Sequence, residues 1–275
     1  MKALRTPVAV LLLAAAGCGG GPEKVTVLPP APPTKEALYA EGHRLYQTQQ
    51  LDSAESRLLG ALRLDSTYAD PLADLAGVYY DRAMRSPEGN AARREDLRRS
   101  SAALVRLERA GRDDAELYER LCEISVALGD ERAFLRWAKK NAERYPFERQ
   151  YYNLGLAYYG VEDWQGCIRT QKEAIQKFPD SPYIGSYHRQ LGRAYMKVDR
   201  DQTAERTFTA GLAAADRKLA ALKKAPGGSS PADARRLTDD KVAMLQSLRK
   251  LHQVYGAQDK LRGVEEQLKA LGYTP

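Results

Sequence analysis

A chain of 275 residues with 43% apolar and 29% charged side chains holds enough hydrophobic material for one or two domains, each with its own core. Its formal charge is +7, yet the basic cluster Arg93, Arg94, Arg98 and Arg99 is interleaved with Glu88, Glu95 and Asp96 and lacks stacking aromatics, which argues against a nucleic-acid partner. Sixteen Tyr against four Phe and two Trp make the aromatic set amphipathic, suited to helices with one face packed and another offered to a partner.

The first element is an address. Lys2 and Arg5 make a basic start, Val8 to Ala16 is an unbroken apolar run, and Gly17-Cys18 comes next. A bilayer span needs roughly 20 apolar residues, so the run is too short to remain as a membrane helix. It has the shape of a cleavable secretory signal. Continuation as a buried helix is broken by Gly17 to Gly21. Ala15-Ala16-Gly17-Cys18 resembles the lipobox of bacterial lipoproteins, with Ala15 standing where that motif more often has Leu. The resemblance implies that residues 1–17 are removed and that Cys18 is lipidated as the mature N-terminus. Gly19 is not the Asp that retains lipoproteins in the inner membrane of enteric bacteria, which implies the periplasmic side of the outer membrane. An ordinary signal peptide and an uncleaved start are the alternatives.

Residues 18–34 contain Gly19, Gly20, Gly21, Pro22, Pro29, Pro30, Pro32 and Pro33. This composition supports neither a helix nor a packed strand and predicts a semi-extended tether. In polyproline geometry it reaches up to ~50 Å and would hold the folded part clear of a lipid surface.

Self-similarity near a 34-residue period dominates the chain beyond the tether. Leu38, Gly42 and Leu45 mark one helix, and Ala54, Leu58 and Ala61 the next. The series returns as Tyr151, Leu154, Gly155 and Tyr158, then Cys167, Ala174 and Pro179. It returns again as Leu191, Gly192 and Tyr195, then Ala204, Phe208 and Gly211. Antiparallel helices cross closely only where one lacks a bulky side chain, so Gly42, Gly155 and Gly192 are expected opposite Ala54, Cys167 and Ala204, with large neighbours three or four positions away filling the gap. Two copies are degenerate. One starts near Ala69 and delays its second helix to Ala103 and Leu107, predicting longer helices joined near Ser86 to Asn90. The other spans Ala115 to Pro146, with a turn around Gly129-Asp130 that is one residue short. A helix from Asp201 runs on to Lys224, and Ser230-Pro231 with Asp233 predicts a capped start for a helix to about Tyr255. A last helix from Ala257 to Leu271 would close the array.

These features resemble the tetratricopeptide repeat (TPR). The resemblance implies an all-α, right-handed α-solenoid of about five TPR-like helix pairs over residues 35–225, with a C-terminal helical hairpin or cap over 226–275. The lipid-plus-repeat plan also resembles the β-barrel-assembly TPR lipoprotein, the pilotins of type IV pilus secretins and a myxobacterial gliding-motility lipoprotein.

No catalytic constellation is present. His43, His188 and His252 lie on three distant helices, and the sequence has no H-x-x-x-H pair, nucleophile elbow, Walker loop or dinucleotide fingerprint. The expectation is a non-enzyme with no catalytic, cofactor-binding or metal residue and no small-molecule substrate. Cys122 and Cys167 occupy small-residue positions, where cysteine acts as a compact hydrophobe. Intervening helices should hold them beyond the ~7 Å Cα limit of a disulfide.

TPR arrays usually bind partners on the face formed by their first helices. There the resemblance places Tyr39, His43 and Tyr46, then Tyr152 and Tyr159, then Arg189, Arg193 and Lys197. The tyrosines offer rigid amphipathic area and the cations could meet carboxylates; an ordinary solvated face is the alternative. Tyr39 and His43 do not reproduce the Lys and Asn pattern of co-chaperone clamps. The expected function is therefore a lipid-anchored scaffold for a multi-protein envelope machine (motility, pilus secretin or outer-membrane protein assembly), whose partner presents an acidic and aromatic segment. The alternative is a soluble peptide- or chaperone-binding TPR adaptor without a lipid anchor.

Overall fold

The computed structural model describes residues 32–224 and 230–273. The expected signal peptide, Cys18 and most of the tether lie outside those residues. Twelve helices and no strand are found among the described residues: α1 (Lys35–Gln47), α2 (Leu51–Leu64), α3 (Ala69–Arg85), α4 (Ala91–Arg109), α5 (Ala115–Leu128), α6 (Glu131–Arg144), α7 (Glu148–Gly160), α8 (Trp164–Lys177), α9 (Ile184–Lys197), α10 (Asp201–Lys224), α11 (Pro231–Val254) and α12 (Gln258–Ala270). Consecutive helices pair as antiparallel hairpins and each hairpin stacks on the next, so the chain is an all-α solenoid of helix pairs.

Polar side chains set many of the helix starts. The Thr34 hydroxyl and the carboxylates of Asp114, Asp130 and Asp163 accept backbone N–H groups of the first turns they precede, at 3.2, 2.8, 2.9 and 2.7 Å. Each satisfies a donor that has no partner inside the helix. Ser230 does the same for α11, with Pro231 in its first turn.

The glycines show how each hairpin closes, and they correct the expected register. A Cβ on Gly42 would lie 2.9 Å from the Leu58 side chain. One on Gly155 would overlap the Gln171 amide, and one on Gly192 the Phe208 ring. In all three hairpins the partner is therefore sixteen positions downstream, one helical turn beyond Ala54, Cys167 and Ala204. Those three small residues are themselves fully buried, but on the neighbouring turn of the second helix. In the α7–α8 hairpin the gap takes an amide pair. Gln171 Nε2 donates to Gln190 Oε1 (2.8 Å) and to the Tyr151 carbonyl (3.3 Å), crossing the α7 backbone where Gly155 leaves room.

Seven residues after each of these glycines the chain turns through a left-handed residue, Gln49, Glu162 or Asp199, at φ 60°, 61° and 55°. The same three-residue turn joins α11 to α12, with Gly256 at φ 63°. Arg249 there stands where those three hairpins have glycine, and its Nε meets Glu265 at 3.2 Å, again sixteen positions on. The C-terminal cap thus repeats the hairpin geometry with an ion pair in place of the steric fit. Between α5 and α6 the turn is only Gly129-Asp130, with Gly129 at φ 69°.

The α3–α4 hairpin is longer than its neighbours, as the spacing predicted, and is pinned by Arg82. That guanidinium forks onto Asp96 of α4 (2.9 and 2.8 Å) and reaches Glu55 of α2 at 2.7 Å. Arg93 donates to the Ser86 carbonyl at 3.0 Å, closing the tip. Three members of the basic cluster are thus engaged locally, Arg93 at this tip and Arg98 and Arg99 with Glu95 one turn away.

First helices normally stack on one another along such an array. Here α1 packs on α3, α7 on α9 and α9 on α11, whereas α5 has no Cα within 8 Å of α3 or of α7. The two degenerate repeats leave the α5 backbone packed on α4 and α6, and only side chains bridge from it to α3 and α7. Among the described residues no helix is long and apolar enough to cross a membrane.

The close crossings are testable by adding one methyl group. Gly192→Ala presses on the fully buried Phe208 ring and should lower stability by about 1–3 kcal/mol. Gly263→Ala, with open space around it on α12, should raise it by about 1 kcal/mol. Urea unfolding of both variants checks this, and equal effects would overturn the observed register.

Candidate functional site

The residues expected on the first-helix face fall into two groups that the fold keeps apart, since neither α1 nor α3 packs on α7 or α9. In the N-terminal group, Tyr39 packs its ring against Tyr68 (5.4 Å between centroids) and His43 (5.6 Å). His43 Nδ1 lies 2.7 Å from Asp74, and Gln47 lies 2.8 Å from its other nitrogen. Tyr46 donates to Asp81 at 3.0 Å; burial and this carboxylate push its hydroxyl up to about 12. All three side chains of α1 are held by α3 or its lead-in, two of them by carboxylates of α3.

The second group is built by α7, α9 and α11. Arg189, Arg193 and Lys197 stand at four-residue steps on α9, so they share one face of that helix. The fold divides their roles. Arg189 Nε lies 3.0 Å from Asp240, a residue of α11 that is 1% exposed. The Ser186 hydroxyl donates to the same carboxylate at 2.5 Å. Burial raises the Asp240 carboxyl, and Arg189 and Ser186 oppose that rise. Arg189 therefore acts mainly as the counter-charge that docks α11 on α9.

Arg193 and Lys197 are exposed and form no ion pair among the described residues. The Arg193 guanidinium lies 4.7 Å from the Tyr159 ring and the Lys197 ammonium 5.5 Å from Trp164. Each cation is thus oriented by an aromatic face without being neutralised. Lys250 of α11, also exposed and without an ion pair among the described residues, completes a cleft of 460 Å³ with Gln246 and Ser247. Tyr152 lies outside it, tilted against Tyr183 at 5.1 Å between centroids, whose ring is covered by Arg236 at 4.1 Å. The cleft therefore offers three cations, two polar side chains and the Tyr159 ring.

Lys250, Gln246, Ser247 and Trp164 were not singled out in the sequence. The signal was the spacing Ala243, Gln246, Ser247, Lys250, one helical stripe, but on a helix read only as a polar cover. No group of three or more His, Cys, Asp or Glu among the described residues is placed to hold a metal ion. Cys122 and Cys167 are free, buried thiols, each pushed up to about 12 by burial.

The Asp240 anchor has a pH signature. A carboxyl raised by burial contributes stability below its unfolded value, near 3.8, and loses that contribution as pH rises through the folded value. Asp240→Asn behaves as a permanently protonated stand-in. Its melting temperature relative to wild type should therefore climb as pH rises above about 4. A relative melting temperature that falls over this range would contradict the assignment.

No family model matches the sequence, and no curated protein matches it. Solved structures do share its architecture. A crystal structure of MamA protein aligns with TM-score 0.51 at 18% identity, covering 70% of this chain and 97% of that one. YrrB, a TPR protein with an unusual peptide-binding site, aligns with TM-score 0.50 at 14% identity, covering 65% of this chain and 84% of that one. At such identities the likeness speaks to architecture, and with the repeated hairpins above it establishes that this chain has a TPR fold.

Proposed function

We propose that this protein is a non-enzymatic, protein-binding TPR scaffold that grips an acidic partner segment in the cleft between α7, α9 and α11. The observation that carries this reading is the set of three cations, Arg193, Lys197 and Lys250, that line one cleft with the Tyr159 ring, none of them neutralised by a described carboxylate. A guanidinium and two ammoniums can meet successive carboxylates of an extended segment, and the tyrosine offers an apolar stop for an aromatic neighbour. A peptide-binding site in YrrB, a protein of the same architecture, supports the class of partner.

The lipobox-like Ala15-Ala16-Gly17-Cys18 supports the cellular half of the reading. A lipid on Cys18 would anchor the scaffold on the periplasmic side of the outer membrane. There it would help assemble an envelope machine for motility, pilus secretion or outer-membrane protein insertion.

Charge reversal of Arg193, Lys197 and Lys250 to Glu should weaken capture of an acidic, Tyr-containing peptide by about tenfold or more while leaving helical circular dichroism unchanged. Raised salt should weaken the wild-type complex in the same direction. Undiminished capture by the folded variant would remove the cleft from the binding surface. Separately, Cys18→Ser should abolish palmitate labelling and release the repeat array from the membrane fraction. A mutant that stays with membranes would overturn the lipid anchor, and a wild-type product that is neither cleaved nor labelled would favour the soluble adaptor.

A further inference from the structure

A second cleft lies on the other side of α7, where α5 stands away from it. Tyr159 belongs to the cationic cleft, and the next residue, Gly160, lines this one. The space measures 590 Å³ and its lining is mostly apolar, with Val126 of α5, Phe134 of α6 and Leu156 of α7 facing it. Val126 is 59% exposed in the last turns of a helix on which Leu117, Leu121 and Ile124 are buried. Ordinary stacking would cover that side chain with α7, as α9 is covered by α7 on the opposite side.

The rim has the opposite charge to the first cleft. Glu119, Glu123 and Glu131 line it, against Arg149 as the one cation of the lining. Arg149 reaches from α7 across the gap to Glu119 (2.9 Å) and Glu123 (3.7 Å). Two carboxylates one helical turn apart on α5 thus already receive a guanidinium from a neighbouring segment. Glu123 also meets Arg120 at 3.2 Å, while Glu131 at the mouth forms no ion pair among the described residues.

We infer that the α5–α7 cleft docks an amphipathic segment of a partner protein in which Lys or Arg alternates with Val- or Leu-sized side chains. The apolar side chains would cover Val126, Phe134 and Leu156, removing from water a surface that the fold leaves open. The basic side chains would take the sites marked out by Glu131 and Glu123, as Arg149 does from within the chain. A second copy of this chain pairing symmetrically would bring the same acidic rim, so charge favours a different, basic partner. The inference rests on the reading of the protein as a partner-binding scaffold, though not on the cationic cleft. Because α7 is the shared wall, one partner could present a basic, apolar stretch and an acidic stretch on either side of it.

The test uses the full chain and short labelled peptides tracked by fluorescence anisotropy. A peptide alternating Leu and Arg should bind saturably, and the double variant Glu123→Lys with Glu131→Lys should weaken it about tenfold. Val126→Ser, at an exposed position that keeps the charge, should weaken it several-fold. The cationic-cleft variant with Arg193, Lys197 and Lys250 reversed should bind it as wild type does, which separates this cleft from the first. The acidic, Tyr-containing peptide should in turn ignore the Glu123 and Glu131 changes. Equal affinity of the double variant for the Leu and Arg peptide would overturn the inference. So would binding of a Ser and Arg peptide as tight as the Leu and Arg one, because it would leave charge alone at work. Sedimentation revealing a dimer that Glu131→Lys dissolves would assign the cleft to a second copy and refute a basic partner.

Discussion

Everything in this array rests on how near two helices of a hairpin can come. In three of the six hairpins a glycine on the first helix lets the second approach until a side chain sixteen positions downstream lies against its backbone. The identity of that side chain varies: Leu58 and Phe208 fill the space with hydrocarbon, and Gln171 fills it with a hydrogen-bonded amide. The steric condition is constant, and the left-handed residue seven positions after the glycine sets the turn that delivers it. In the cap, where Arg249 replaces the glycine, attraction between Arg249 and Glu265 takes over at the same offset. Interiors pack densely enough that one added methyl at such a point is felt.

Much of this was legible in the sequence because period and composition encode it directly. The helix bounds near Lys224, Pro231 and Tyr255, the short turn at Gly129-Asp130 and the elongated α3–α4 hairpin all derive from capping residues and spacing. The crossing partner was not legible to within a turn. Ala54, Cys167 and Ala204 lie on the same helical face as Leu58, Gln171 and Phe208, four positions away, and small size suggested the wrong one of the two. Periodicity fixes a face; only the relative sliding of two helices fixes which residue on that face makes contact.

The candidate site was legible in part. Four-residue steps on α9 placed Arg189, Arg193 and Lys197 together, which needs only helical geometry. That Arg189 serves a buried Asp240, and that Lys250 joins the other two, depends on where α11 docks, a contact between segments more than forty residues apart. The tyrosines divide in the same way. Tyr159 flanks the cleft, while Tyr46 and Tyr152 are engaged by Asp81 and Tyr183. Amphipathic composition marks aromatic side chains that can do either; tertiary packing decides which does.

The separation of α5 from both neighbouring first helices also bears on mechanics. Along the rest of that row, neighbouring helices are in direct backbone proximity, so relative movement meets immediate steric resistance. At α5 backbone proximity is missing on two sides, where side-chain bridges such as Arg149–Glu119 to α7 and Arg120 over the Tyr80 ring of α3 stand in its place. The third hairpin is therefore the link of the array least held by backbone packing, and its coupling to the neighbouring first helices depends on polar and cation–aromatic bridges.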